Sequence, residues 1–83
     1  MNYFVKEAKY LDKYKIWIKF EDGKSAEIDF SNEFDGPVFE PLKDIDFFKK
    51  FIIEGHTIQW ENGADMSPEY LYELAGSAQT PVS

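Results

Sequence analysis

An 83-residue chain has room for one hydrophobic core, and its 43% apolar content includes eight Phe, five Tyr and two Trp to fill it. The absence of cysteine excludes a disulfide framework, a zinc knuckle and a thiol nucleophile, and fits a reducing, cytoplasmic setting. Net charge is −7 and uneven: residues 1–24 hold six Lys against four acids, residues 25–83 three Lys against twelve, and no cation is Arg. Without the side chain most used for bidentate contacts to guanine or phosphate, an acidic chain is not expected to bind nucleic acid directly. Met1 to Glu7 lacks a basic region followed by an apolar run, and no stretch approaches the roughly 20 apolar residues of a membrane span, so no membrane role is expected.

Tyr3 to Leu11 interleaves Tyr, Phe and Val with Lys and Glu and predicts a first strand, ending at Asp12-Lys13. Ile16, Ile18 and Phe20 then alternate with Lys15, Trp17 and Lys19, and Ala26, Ile28 and Phe30 with Glu27 and Asp29. These are two strands with one shared buried face. Sharing it requires Ile16, Ile18 and Phe20 to lie opposite Ile28, Ala26 and Lys24. A two-residue Asp-Gly turn breaks that parity, whereas a three-residue Glu21-Asp22-Gly23 loop with a left-handed Gly23 preserves it. The same register sets Lys15 against Asp29 and Trp17 beside Glu27 on the other face. Aromatic residues beside Lys15, Lys19 and Lys24, with Trp17 facing outward, suggest a single-strand nucleic-acid platform, but the chain's acidity favours a packed layer or a dimer contact.

Ser31 to Lys43 is broken by Gly36, Pro37 and Pro41, yet Phe34, Val38, Phe39 and Leu42 make it too apolar for a free linker; a loop packed across the domain is expected. Asp44 is the expected N-cap of a short helix through Lys50, with Phe47, Phe48 and Phe51 as its apolar contacts. Phe51–Glu54 and Thr57–Trp60 read as strands around Gly55-His56. Ser67 caps a second helix with Pro68 in its first turn and Glu69 near its N-terminus, running to about Ala75 with Gly76 as its stop. Residues 77–83 read as a flexible tail. The sum is a single α+β domain over residues 1–76: a small, mostly antiparallel sheet of about five strands, with two short helices layered on one face.

Little in this chain reads as catalysis. His56 is the one histidine and sits in a turn with no nucleophile or orienting group legible nearby. Ser67 is accounted for as a helix cap and Ser25 as a strand residue. Asp44 with Asp46, or Glu61 with Asp65 and Glu69, are the best carboxylate groupings, but none has the spacing of a calcium loop. The five glycines are scattered singly among turns, so no phosphate loop is present. Neither an enzyme nor a cofactor or metal site is expected.

The run Trp60-Glu61-Asn62-Gly63-Ala64-Asp65-Met66-Ser67-Pro68-Glu69-Tyr70-Leu71-Tyr72 resembles the ending typical of the small bacterial proteins called domain of unknown function 2442, Trp-x-Asn-Gly-Ala-Asp-x-x-Pro-Glu-x-Leu-Tyr. Phe20-Glu21-Asp22-Gly23-Lys24, Ile28-Asp29 and Phe39-Glu40-Pro41-Leu42-Lys43-Asp44 ahead of Phe48 extend the match from Tyr10 to Leu74. The resemblance implies a small α+β domain. It also implies either a stand-alone protein encoded beside another small protein, in an arrangement of the toxin and antitoxin kind, or a domain ahead of a helix-turn-helix module. None of the 83 residues reads as such a module, so a DNA role is expected to need a partner. The expected activity is binding to a protein, either the adjacent gene's product or a second copy in a homodimer, with sensing of a small ligand or metal as the alternative. Asn62-Gly63 suits a left-handed turn, Asp65 can accept from nearby amides, and Trp60, Leu71 and Tyr72 can fill core. The candidate interaction surface is Trp17 together with the polar turn framed by Trp60 and Tyr72, comprising Asn62, Asp65 and Glu69.

Overall fold

The alternation over residues 15–29 becomes an antiparallel hairpin in the computed structural model, which describes residues 3–34 and 36–78. Strand β1 (Val5–Tyr10) pairs with β2 (Lys15–Phe20), and β2 with β3 (Ser25–Asp29). The β2–β3 register is the expected one, Lys15 facing Asp29, Ile16 facing Ile28, Trp17 facing Glu27 and Ile18 facing Ala26. Its loop closes through Phe20 N–H to the Lys24 carbonyl (2.8 Å), with Gly23 at φ +94°. That φ is the left-handed conformation the parity argument required.

β1 carries a bulge that the alternation did not announce. Val5 lies opposite Phe20, but the next pair is Glu7 with Lys19, so one extra residue is absorbed at Lys6. The insertion keeps Val5 inside, 5% exposed, on the same face as half-buried Ala8 and Tyr10. An uninterrupted strand would have turned either Val5 or that pair to solvent.

Residues 31–43, expected as an irregular loop, contain a 3-10 helix, Pro37–Lys43. Pro37 suits a first-turn position whose amide has no intrahelical partner. Leu42 is fully buried and Phe39 half-buried, so the anchoring role holds, whereas Val38 stays 45% exposed. Helix α1 (Ile45–Phe48) is shorter than expected; the Asp44 side chain accepts from Asp46 N–H at its start. Phe48 is the hub of the core, ringed by Tyr10, Tyr14, Phe30, Phe34 and Trp60 at centroid distances of 5.5–6.2 Å.

Strands β4 (Ile52–Glu54) and β5 (Thr57–Gln59) form a separate two-stranded sheet, so the five strands are divided three and two rather than joined in one sheet. Helix α2 (Pro68–Ala78) packs against β3, with Leu71 and Ala75 fully buried one turn apart. It runs past Gly76, the expected stop. The expected tail at 77–83 therefore begins inside the helix, and positions 79–83 lie outside the described residues.

Candidate interaction surface

The segment Trp60 to Ser67 is a turn built by its own side chains. Trp60 N–H donates to the Ala64 carbonyl (2.8 Å) and Gly63 N–H to the Trp60 carbonyl (2.9 Å), with Gly63 at φ +89°. The Asn62 amide works in both directions. Its oxygen accepts from Ala64 N–H (3.1 Å), and its NH2 donates to the Val38 carbonyl of the 3-10 helix (2.9 Å). The amide-accepting role expected of Asp65 thus belongs to Asn62, and Asp65 instead bridges Gln59 through its backbone. Behind the turn, Thr57 Oγ1 donates to the Met66 carbonyl (2.5 Å). Ahead of it, Ser67 Oγ accepts from Tyr70 N–H (3.1 Å), which is the expected cap of α2.

Tying the turn to the 3-10 helix leaves an open groove of about 400 Å³, lined by Glu33, Phe39, Asp65, Met66, Ser67 and Tyr70. The Tyr70 hydroxyl donates to the Glu33 carboxylate across the chain. Phe39, Met66 and the Tyr70 ring give apolar wall, while Glu33, Asp65 and Ser67 supply acceptors. Among the described residues no cation lines it. Such a groove can hold an apolar stem with a positively charged or hydrogen-bond-donating end.

The six residues expected to form one surface are distributed differently. Asp65 lines the groove, and exposed Asn62 and Glu69 belong to the same turn and helix start. Trp60 is 2% exposed, and its indole N–H donates to the Phe48 carbonyl (2.7 Å), so it belongs to the core and no partner can reach it. Tyr72 does not frame the turn with Trp60 but packs on the β2–β3 loop. Its hydroxyl donates to Asp22 (2.5 Å), Lys24 Nζ lies 4.6 Å from its ring centroid, and its ring meets Phe20 at 5.0 Å. That bond, with the Lys24 amide, holds the Asp22 carboxyl below its ordinary value, and the same carboxylate pushes the Tyr72 phenol up.

Trp17 is on the outer face of the three-stranded sheet, between Lys9 and Glu27, with Lys9 Nζ 5.9 Å from its ring centroid. Around it Glu7 faces Lys19 and Lys15 faces Asp29, so Lys9, Lys15 and Lys19 share this face with Glu7, Glu27 and Asp29. A phosphate-binding stripe would need an excess of cations, which this arrangement lacks.

Glu33, Phe39, Met66 and Tyr70 line the groove but stand outside the surface expected from the sequence. Met66 and Tyr70 lie within the signature run, but Glu33 meets Tyr70 across 37 positions, a contact without local signal. His56 is exposed in the β4–β5 turn and stacks on Phe4 at 4.0 Å between centroids. Among the described residues no group of three or more His, Cys, Asp or Glu is placed to hold a metal ion, so Glu61, Asp65 and Glu69 do not converge. No helix among them is long and apolar enough to cross a membrane.

No curated protein and no solved structure matches the chain significantly. Residues 5–77 match the model of a family described as "Protein of unknown function (DUF2442)", and since that match spans the β-sheets, the signature turn and nearly all of α2, the chain belongs to this family.

Proposed function

We propose that this chain is a non-enzymatic interaction protein of the cytoplasm, acting as the antitoxin-like member of a two-gene module by binding its protein partner. The observation that carries the reading is the composition of the groove among the described residues: two carboxylates, a hydroxyl and three apolar side chains, without a cation. A Lys- or Arg-bearing segment of a partner matches it, the aliphatic stem lying on Phe39 and Met66 and the charge between Glu33 and Asp65. The net charge of −7 supports the same partner chemistry, since it attracts a basic protein from a distance. The antitoxin-like role rests on the family resemblance and names the adjacent gene's product as the partner.

The test is co-expression with that product. Co-purification, with growth restored when both are made, is the expected result. Failure of the two to associate, with no rescue of growth, would overturn the reading. A small-ligand or metal-sensing domain is the second reading, favoured by the groove's volume, which lies within the usual range for ligand pockets. A thermal-shift screen against metabolites and divalent cations separates the two. A reproducible, saturable shift would favour sensing.

A further inference from the structure

Strand β4 pairs with β5 on one side, and among the described residues no backbone hydrogen bond is made to its other side. All three of its residues are exposed, Ile52 at 52% and Ile53 at 42%, an apolar load on a strand that β1 approaches without bonding to its outer edge. Edges of this kind are templates for another strand.

The turn fixes which backbone groups face outward. Gly55 (φ +62°) and His56 (φ +68°) form a two-residue connection with two positive φ angles, the type I′ geometry, which makes Glu54 and Thr57 a hydrogen-bonded pair. Alternation then points the amide and carbonyl of Ile53 away from β5, and those of Phe51 likewise where the strand is prolonged backward. A two-fold axis at Ile52 sets Phe51 of each copy opposite Ile53 of the other. Outward amides thereby meet outward carbonyls twice, with Ile52 against Ile52 between them. The same register brings Lys50 of each copy to the end of the ladder where Glu54 of the other lies. Charge and apolarity are both self-complementary in it. Moving the axis to Ile53 pairs Ile52 with Glu54 and Lys50 with His56, and both matches are lost.

We propose that β4 is a homodimerisation edge, across which two copies pair antiparallel around Ile52 and join their hairpins into one four-stranded sheet. The interface is isologous, as two-fold dimers require, and short, so the dimer is weak and concentration-dependent. It uses neither Asp65 nor Tyr70, so it stands or falls separately from binding at the groove.

Sedimentation equilibrium on the full chain, in a series reaching high-micromolar concentration, tests it. A monomer–dimer equilibrium is expected. Ile52→Lys, which sets two Lys face to face at an exposed position, should leave a monomer with an unchanged circular dichroism spectrum. Glu54→Lys alone should raise the dissociation constant at least about tenfold, and adding Lys50→Glu should recover most of the loss. Because Lys50 and Glu54 are exposed, this pair decides the matter even if Ile52→Lys unfolds. A monomer throughout the series, or a dimer indifferent to the charge swap, would overturn the proposal.

Discussion

Trp60 shows how one residue type admits two readings that only burial separates. Its position beside a polar turn suggested a surface aromatic, yet the indole closes the core against Phe48 and Phe51 and caps the Phe48 carbonyl. Trp60→Phe keeps most of the apolar volume but leaves that carbonyl unpaired, and a loss of about 1–3 kcal/mol in urea unfolding is expected. Tyr72 makes a complementary case at the surface. Its bond lowers the Asp22 pKa, so the stabilisation is present above the ordinary carboxyl value of 3.8 and is lost as pH falls through the depressed value. The Tyr72 phenol is raised, so on the alkaline side the contribution is present below 10.0 and is lost as pH rises through the higher value. In an NMR titration of the carboxyls, Tyr72→Phe should return Asp22 toward its ordinary pKa. Asp29, lowered mainly by the Ser31 amide, should stay where it is.

Among the elements, the signature turn is held largely by Asn62, which links β5 and the start of α2 to the 3-10 helix. Asn62→Ala removes both bonds, and a loss of roughly 1–2 kcal/mol is expected in denaturant unfolding, comparable to losing a helix cap. The mutation should also loosen the groove, whose Phe39 wall belongs to the tethered helix. Elements with strict short-range logic were legible in the sequence: the β2–β3 register and its Gly23 loop, the Asp44 and Ser67 caps, and the Gly55-His56 connection. What escaped depends on distant partners. The β1 bulge is set by which residues reach the core, α2 outlasts Gly76 because Ala75 is buried against the sheet, and the proline-broken segment becomes helical through Leu42 and Phe39.

Taken as a molecule, the chain balances Lys9, Lys15 and Lys19 against Glu7, Glu27 and Asp29 on one sheet face and places the Glu33 and Asp65 carboxylates at the groove. The sequence asymmetry in charge was visible, but its placement was not, because cross-strand pairing decides which Lys meets which acid. The candidate site was legible only in part for the same reason: Asp65 lies in a run that reads continuously, whereas Glu33 and Phe39 are brought to it by folding. The most direct measurement is calorimetric titration of the adjacent gene's product into the wild-type chain and into Asp65→Lys, a change at an exposed position that reverses one of the groove's two charges. Wild-type binding that weakens at least about tenfold in the variant, with an unchanged circular dichroism spectrum, is the expected result. No binding by the wild type, or equal binding by both, would contradict the groove as the partner's site.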